Sequence, residues 1–260
     1  MNVTTVDDLL TRDRRDDRTA LVDATGREYD RHWLCTTAWK SGNFLRHAGV
    51  REGITVGVVG DGPLSLIAFC GTTLLEGQTQ FEPPTELTDR EDVRALVAPV
   101  SALGRYTLPR GAQQVGYGDP PAEPAIHHFD AGLWSENPSF PPLDIDPETA
   151  LLTDGDRTVT HQNALEAARG VIDEYDLHKG DRVVLDAPLA DLRAVVAGVI
   201  APLLAEGAIV LTEDVDDPAA VVDTESQSES QSAAGRDTYL VSQTPVAELR
   251  EIDLDTVVLP

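Results

Sequence analysis

Histidines and serines are the side chains in this sequence best suited to catalysis or metal binding, and their spacing favours structural roles. His127 and His128 are adjacent, so on an extended backbone they face opposite sides and do not converge on one ion. His161 opens the segment Thr-His-Gln-Asn at a predicted helix start, where a capping or packing role is expected. A Gly-x-Ser-x-Gly context is missing around Ser41, Ser65 and Ser135. We therefore predict no catalytic residue and no metal site.

Two cysteines and a glycine-rich turn are the remaining candidates. Cys35 and Cys70 lie in apolar segments at a spacing that fits neither a metal motif nor a disulfide framework. We predict that both are buried small apolar residues. Residues 57–62 (GVVGDG) follow a predicted strand and precede a helix, as in dinucleotide-binding turns, but the full glycine fingerprint and its acidic partner are missing.

The charge of the chain is extreme. Asp and Glu number 45 against 20 Lys and Arg, which gives a formal net charge of -25, and only Lys40 and Lys179 are lysines. Such a surface repels itself in dilute buffer, whereas concentrated salt screens the repulsion. We predict a halophilic protein of haloarchaeal type. The same charge argues against a nucleic-acid partner.

Neither a targeting segment nor a membrane span is predicted. The N-terminal stretch MNVTTVDDLLTRDRRDD has no apolar run of signal-peptide length. No window approaches the roughly 18 uncharged apolar residues that a membrane helix needs. We expect a cytoplasmic protein without a membrane partner.

An internal echo organises the chain. Residues 44–58 (FLRHAGVREGITVGV) and 171–185 (VIDEYDLHKGDRVVL) match at an offset of 127 residues, so that Gly53 corresponds to Gly180. Each copy reads as a helix end, a turn closed by glycine and a β-branched strand.

Both copies continue in the same way. A Gly/Pro turn precedes a helix of small apolar residues, predicted over 64–75 and over 191–205. Each helix ends at Glu-Gly before a further strand, predicted over 78–81 and over 208–211. Strand–helix–strand crossovers of this kind form parallel sheets.

We therefore predict an α/β fold of two homologous parallel-sheet lobes flanked by helices. Residues 1–147 form the first lobe, with an N-terminal hairpin and a poorly ordered Pro/Gly-rich crossing segment from residue 82 to 147. Residues 148–260 form the second lobe, with a low-complexity loop at 224–235 (TESQSESQSAAG) and a last strand at 256–259. A chain that stops just after this strand looks cut rather than finished.

Several passages resemble those of one enzyme superfamily in order and spacing. They are ALVDATGREYD from residue 20, FLRHAGVREGITVGVV from 44, LLEGQTQFEPP from 74, ALLTDGDRTVTHQNAL from 150, and YDLHKGDRVVLDAPLADLRAVVAGVIAPLLAEGAIVLTED from 175. Together they resemble the adenylate-forming superfamily of acyl-CoA synthetases, peptide-synthetase adenylation domains and luciferases. The resemblance covers nearly the whole chain and reaches only the first half of a full-length enzyme.

The resemblance implies an ATP phosphate loop of the form T-S-G-T-T-G-x-P-K before a T-H-x-N helix start. Thr153, Gly155, Arg157 and Thr160 are then the remnant of this cofactor-binding loop. The remnant is about six residues shorter than the family pattern and lacks the T-T-G and P-K elements. Asp154 and Asp156 add carboxylates where anionic phosphate oxygens would lie, like charges repel, and Arg157 could offset only one of them. A tight strand-to-helix turn is the expected structure.

Further family elements are missing. Ala190 and Asp191 stand where family members usually carry an aromatic residue or histidine beside the acyl pocket. The adenine- and magnesium-binding Tyr-Gly-x-Thr-Glu segment, the ribose-binding Thr-Gly-Asp segment and the C-terminal lid lysine do not occur in the sequence. Positioning and charge stabilisation carry most of the rate in adenylyl transfer.

The leading functional hypothesis is a truncated, catalytically degenerate acyl-CoA-synthetase-like protein that serves as a binding or regulatory partner, for example of a full-length ligase. One alternative is one half of a split AMP-forming acid–thiol ligase that a complementary subunit completes. Another is an acyl or nucleotide binding protein. No cofactor is expected, and ATP, AMP or CoA would bind only if residual family binding survives.

Overall fold

The computed structural model describes residues 3–212, 237–242 and 250–259, and the low-complexity loop predicted at 224–235 lies outside them. The chain divides into two compact units. The first unit comprises Met1–Arg15 and His32–Gln162, and the second comprises Asp16–Arg31 and Asn163–Pro260. Each unit is built around one sheet.

The described residues contain thirteen strands. They are β1 Thr19–Val22, β2 Glu28–Asp30, β3 Thr55–Val58, β4 Gln78–Phe81, β5 Val93–Pro99, β6 Gln113–Tyr117, β7 His127–His128, β8 Ala150–Thr153, β9 Thr158–Thr160, β10 Arg182–Leu185, β11 Ala208–Leu211, β12 Thr238–Ser242 and β13 Arg250–Asp253. The sheet of the first unit has the order β7-β6-β5-β3-β4-β8-β9, and that of the second has the order β13-β12-β10-β11-β1-β2. Only the terminal pairs β8–β9 and β1–β2 are antiparallel.

Seven α-helices pack with these sheets. They are α1 Arg31–His47, α2 Pro63–Thr73, α3 Val100–Leu103, α4 Phe129–Ser135, α5 His161–Tyr175, α6 Leu192–Val195 and α7 Ala201–Leu204 within the described residues. The π-helical turn Val196–Ile200 joins α6 to α7, and together they form the helix predicted at 191–205. A wide turn suits this position because Pro202 has no N–H and its ring would crowd the carbonyl four residues earlier.

The central strands explain why the sheets are buried on both faces. Val56 and Val58 of β3 and Val184 of β10 have no exposed surface, and α2 is apolar around most of its circumference. Near-continuous apolar strands are typical of parallel sheets covered by helices on both sides. The structure confirms the predicted α/β class, with two mostly parallel sheets flanked by helices.

The echo of 127 residues is confirmed down to individual hydrogen bonds. The N–H of Val50 donates to the carbonyl of Leu45, and that of Leu177 donates to the carbonyl of Ile172, both at 3.0 Å. Gly53 and Gly180 close the two turns at φ 72° and 90°, a region that favours glycine. The shared sequence pattern therefore encodes a shared local backbone.

The unit boundaries differ from the lobes predicted at 1–147 and 148–260. Leu21 of β1 pairs with Ile209 of β11, so the N-terminal hairpin β1–β2 belongs to the second unit. Leu152 of β8 pairs with Thr79 of β4, so the hairpin β8–β9 belongs to the first unit. Each hairpin thus joins the sheet of one unit, although the next strand along the chain belongs to the sheet of the other unit. Chain order alone does not encode such a long-range pairing.

Two further expectations were wrong. The segment predicted as a poorly ordered crossing, residues 82–147, supplies β5, β6 and β7 with α3 and α4. The strand predicted at 256–259 is replaced by β13 at Arg250–Asp253 and a 3-10 turn at Leu254–Thr256. Strand β13 has no apolar alternation from which it could be predicted, because it lies at a sheet edge and only its Ile252 is buried.

Candidate functional site

The predicted remnant of the phosphate loop forms one tight hairpin in the first unit. Thr153 ends β8, Gly155 and Arg157 lie in the turn, and Thr160 ends β9 immediately before α5. The expected strand-to-helix turn therefore has a two-stranded form, with the short strand β9 between turn and helix. The structure brings the four predicted residues together in this hairpin.

Every backbone N–H of the turn has an acceptor within the turn itself. The Thr153 hydroxyl accepts from Gly155 N at 3.0 Å, and the Arg157 carbonyl accepts from Asp154 N at 3.4 Å. The Asp154 Oδ1 atom accepts from Asp156 N at 3.0 Å and from Arg157 N at 2.8 Å. Backbone N–H groups are what a phosphate loop offers its ligand. In this turn the chain's own oxygens take all four of them.

The charges of the turn are paired in the same way. The Arg157 guanidinium contacts the Asp154 carboxylate at 2.8 Å, and its Nε donates to Oδ2 at 2.9 Å. Burial works to raise the pKa of Asp154, but hydrogen bonds from the Arg157 and Asp156 N–H groups and from the guanidinium outweigh it and lower the pKa. The ionised Asp154 carboxylate is therefore surrounded by hydrogen-bond donors, so the turn already contains an anion of its own.

The nearest arginine behind the turn is also engaged. A Cβ on Gly155 would lie 3.2 Å from the Gln80 amide and 4.0 Å from Arg90. Arg90 forms two hydrogen bonds to Asp92, at 2.9 and 2.8 Å. The Arg90 guanidinium, with a second hydrogen bond from the Thr55 hydroxyl, lowers the pKa of Asp92 to about 2. This arginine is held by a carboxylate of its own.

The N-terminal hairpin uses the same design. Thr19-Ala20-Leu21 precedes its turn as Thr149-Ala150-Leu151 precedes the other, at an offset of 130 residues. The Asp23 carboxylate accepts from Thr25 N at 2.9 Å and from Arg27 N at 3.1 Å. The first of these bonds corresponds to the donation of Gly155 N to the Thr153 hydroxyl. The repeated Thr-Ala-Leu was the sequence signal that could have revealed this second echo.

Asp191, which stands at the predicted acyl-pocket position, caps a helix. Its Oδ1 accepts from Arg193 N at 3.0 Å, as an N-cap residue of α6 does. The Arg193 guanidinium bridges Asp191 at 2.8 Å and Asp255 at 2.9 Å. The side chain is thus committed to the helix start and to an ion-pair network.

The glycine-rich turn after β3 is likewise filled by the protein. Glu82 Oε1 accepts from Gly60 N at 2.6 Å, and the Tyr117 hydroxyl donates to the Val59 carbonyl at 2.8 Å. A Cβ on Gly60 would meet that hydroxyl at 2.3 Å, so only glycine fits beneath the tyrosine. A carboxylate again takes the N–H group that a dinucleotide pyrophosphate would use.

His161 occupies a structural position. His161 has no exposed surface, and its Nδ1 accepts from Val6 N at 3.0 Å, which agrees with the predicted packing role. Burial lowers the pKa of His161 to about 4, so the ring is neutral. Cys35 and Cys70 are buried thiols, as predicted. Within residues 3–212, 237–242 and 250–259, no group of three His, Cys, Asp or Glu side chains could hold a metal ion.

Solved structures show the same fold in the N-terminal part of adenylate-forming ligases. The anthranilate CoA ligase AuaEII, in complex with anthranoyl-AMP, matches with a TM-score of 0.70 and 20% identity over 84% of this chain and 46% of its own. MatB from Rhodopseudomonas palustris gives 0.68 and 15% over 92% and 49%. The N-terminal domain of FACL13 from Mycobacterium tuberculosis gives 0.71 and 15% over 86% and 61%. The predicted resemblance is confirmed at the level of the fold.

The comparisons at the level of sequence found no match. No protein-family model matches the chain, and no curated protein matches it. The chain spans 46% and 49% of AuaEII and MatB, which is about half of their length. In the described part of the chain no helix is long and apolar enough to cross a membrane.

Proposed function

We propose that this protein is an acyl-CoA-synthetase-like scaffold that does not bind ATP at the hairpin β8–β9 and acts as a non-catalytic binding or regulatory partner of an acyl-CoA ligase. The observation that carries the proposal is the closed turn, in which Asp154 and Thr153 accept N–H groups that a phosphate would need. A pseudoenzyme keeps the scaffold of its relatives while its site is occupied by its own side chains.

The energetic argument concerns displacement. A triphosphate entering the turn would have to break the Asp154 hydrogen bonds and its ion pair with Arg157, which at this largely exposed turn together contribute about 1–2 kcal/mol. The displaced carboxylate would then lie beside the incoming phosphate, and like charges at contact distance repel. The turn thus favours its closed form over a nucleotide complex.

The alternative is a subunit of an AMP-forming ligase that another chain completes. It is favoured by the match of this chain to about half of AuaEII and MatB. In that case the complementary subunit would supply the adenine-, ribose- and lid-type segments, and ATP would bind only in the complex. A third reading, a lone acyl or nucleotide binder, predicts a measurable heat of ligand binding.

The first experiment uses the purified protein alone. We expect no ATP–pyrophosphate exchange above a protein-free blank with acetate, a fatty acid or anthranilate as the acid, and no heat on titration with ATP, AMP or an acyl-CoA. Exchange by the lone chain would sink the proposal. Binding heat without exchange would instead favour the third reading.

The second experiment separates the two partner roles. Proteins that co-purify with a tagged chain are identified, and exchange is measured for the partner alone and for the complex. A ligase that is active alone and changes its rate on adding the chain supports the regulatory role. A partner that is inactive alone and active in the complex supports the subunit reading. A chain recovered alone, without effect on any ligase, contradicts both.

We also propose that the protein works in a salt-rich cytoplasm. The support is its net charge of -25 and its two lysines. Self-repulsion of this size is screened by salt, since the Debye length falls to about 3 Å at 1 M. The melting temperature should rise steeply between about 0.1 and about 2 M potassium chloride, because the added salt screens the self-repulsion. A melting temperature independent of salt would contradict this origin.

A further inference from the structure

A cleft in the first unit lies apart from the elements that form the hairpin turn. It is bounded by α1, by the N-terminal 3-10 turns Val6–Leu10 and Arg12–Arg14, and by residues 136–143. Its volume is about 910 Å³. Pockets that bind small organic molecules usually measure about 300–1,000 Å³, so the cleft has the size of a ligand site.

Two arginines lie on aromatic rings at this cleft. The Arg12 guanidinium lies 5.8 Å from the Trp39 ring centroid, and that of Arg46 lies 4.8 Å from the Phe140 ring centroid. Trp39 is fixed by its Nε1, which donates to the Leu10 carbonyl at 2.9 Å. A guanidinium stacked on a ring keeps its N–H edge available for an anion.

Six other arginines of the described chain differ from these two, because each pairs with a carboxylate. They are Arg18, Arg90, Arg157, Arg182, Arg193 and Arg250. Arg12 and Arg46 form no such ion pair with the described residues, and Arg46 reaches only the Asn43 amide oxygen at 3.4 Å. In a chain with a net charge of -25, two cations without a carboxylate partner at one cleft indicate an anionic ligand.

A buried carboxyl group lines the same cleft. Asp7 is 7% exposed, and its Oδ1 has no hydrogen-bond partner among the described residues. Burial raises the pKa of Asp7. A buried polar atom without a partner is destabilising, and a donor from a ligand would remove this cost.

The cleft contains three further titratable groups besides Asp7 and the two arginines. They are Asp13, Glu136 and His47, and the last two lie 3.9 Å apart. The Asn43 side-chain amide nitrogen donates to the carbonyls of Asn137 and Ser139, both at 3.0 Å, and these bonds fix one wall of the cleft. The cleft therefore combines rigid aromatic surface with two open cations and one open acceptor.

We propose that this cleft binds a small organic anion, whose acidic group contacts Arg12 and Arg46, whose planar body lies beside Phe140, and whose N–H or O–H donates to Asp7. The proposal does not depend on the state of the hairpin turn. It would stand whether or not the protein binds ATP.

The probe is 8-anilinonaphthalene-1-sulfonate, which carries a sulfonate, a planar body and an anilino N–H. N-phenyl-1-naphthylamine has the same body and N–H without the sulfonate, so the pair of probes isolates the anionic contact. We expect saturable one-site binding of the sulfonate probe, followed by fluorescence. Its dissociation constant should be about tenfold lower than that of the neutral probe, as a charge-assisted contact provides.

Variants assign the site to the cleft. Arg12→Gln and Arg46→Gln should each weaken the sulfonate probe several-fold and leave the neutral probe unchanged. Asp7→Leu should weaken both probes, since both carry the N–H donor. The matched control is Arg27→Gln, because Arg27 also lies on an aromatic ring, Tyr29 at 4.9 Å, but belongs to the second unit.

Several results would overturn the proposal. One is the lack of saturable binding of the sulfonate probe to the folded protein. Another is equal binding by wild type, Arg12→Gln and Arg46→Gln, with melting temperatures that match within error. A loss caused by Arg27→Gln as large as that caused by Arg46→Gln would also overturn it, since binding would then follow net charge rather than the cleft.

Discussion

The hairpins β1–β2 and β8–β9 perform the same structural task in opposite units. Each is antiparallel, each has a register irregularity near its start, and each leads directly into a long helix, α1 or α5. Only the second hairpin contains the residues that the sequence resemblance predicts to be a remnant of the phosphate loop. Since the first adopts the same kind of turn without that family role, the closed shape of the second needs no nucleotide to explain it.

The differences between the two turns are electrostatic. In the first, the Tyr29 hydroxyl donates to Asp23 at 2.9 Å and Arg27 lies over the tyrosine ring. In the second, Arg157 pairs directly with Asp154. The second turn thus binds its own anion with its own cation. The turn of the second hairpin is therefore closed by the ion pair of Arg157 and Asp154 in addition to the backbone pattern that both hairpins share.

The helix starts that follow the hairpins also correspond. Arg31 and His161 occupy equivalent positions, and both side chains are buried. Arg31 donates to the Gly207 carbonyl at 2.9 Å, whereas His161 accepts from Val6 N. One position thus carries a permanent cation and the other a neutral ring, and only the second responds to mild acid.

The largest expected effect tests which sheet each hairpin stabilises. Leu21→Ala and Leu151→Ala remove equivalent, fully buried side chains and should each lower the free energy of unfolding by about 2–5 kcal/mol. Hydrogen exchange should show lost protection in β10 and β11 for Leu21→Ala, and in β3 and β4 for Leu151→Ala. The opposite assignment, or equal loss in both sheets, would contradict the exchange of hairpins between the units.

The next effect sharpens the comparison of helix starts. The unfolded chain protonates His161 near its usual pKa of 6.5, whereas the folded chain does so only at about 4, so stability is lost as the pH falls between these values. The loss should be on the order of 2–3 kcal/mol. His161→Asn keeps an acceptor for Val6 N without titrating there, and denaturant titrations at several pH values should give it a smaller loss. Parallel curves for the two proteins would refute this role.

A smaller effect compares the two turn aspartates. Asp154→Ala and Asp23→Ala should each cost about 1–2 kcal/mol, because each leaves turn N–H groups without their carboxylate acceptor. Asp154→Asn and Asp23→Asn are the controls, since an amide oxygen still accepts these bonds, and they should cost less. Urea denaturation measures all four. If Asp154→Ala were neutral, the turn would not be held by its own aspartate.

The smallest effect concerns the glycines of the turns. Gly26 and Gly155 have φ of 81° and 100°, so alanine is strained at both positions by about 1 kcal/mol. A Cβ at position 26 would meet nothing within 4 Å, whereas at position 155 it would lie 3.2 Å from Gln80. Thermal melts should therefore show a slightly larger loss for Gly155→Ala than for Gly26→Ala. The reverse order would mean that packing behind the second turn is looser than described.

Much of the fold could be predicted because it is encoded locally. The strands at Gln78–Phe81 and Ala208–Leu211 have the predicted bounds, since Glu-Gly before an apolar run marks a helix end followed by a strand. Strand β7 could not be predicted, because two histidines carry no period-two apolar signal. The cleft at Trp39 and Phe140 was missed as well, since its residues come from four separate parts of the chain.

The candidate site shows the same division. The sequence indicated that Thr153–Arg157 was too short and too acidic for the family's loop, and hydrogen bonds between residues two to four positions apart confirm a tight turn. It did not indicate that Glu82 would close the turn at Gly60, or that Arg90 would be held by Asp92 behind the hairpin. The first contact depends on neighbouring strands, and the second on a turn packed beside the hairpin.

The sequence by itself determined the two echoed helix–turn–strand units, the closed acidic turn and the excess of negative charge, because each of these depends on neighbouring residues or on composition. Only the tertiary structure decided which sheet receives each hairpin, which carboxylates occupy the remaining anion-binding turns, and which arginines face the cleft without a carboxylate partner. Such choices depend on contacts between residues that are separated in sequence, by 22 positions for Gly60 and Glu82 and by 188 for Leu21 and Ile209. Local propensity does not specify those contacts, since burial of whole surfaces selects them.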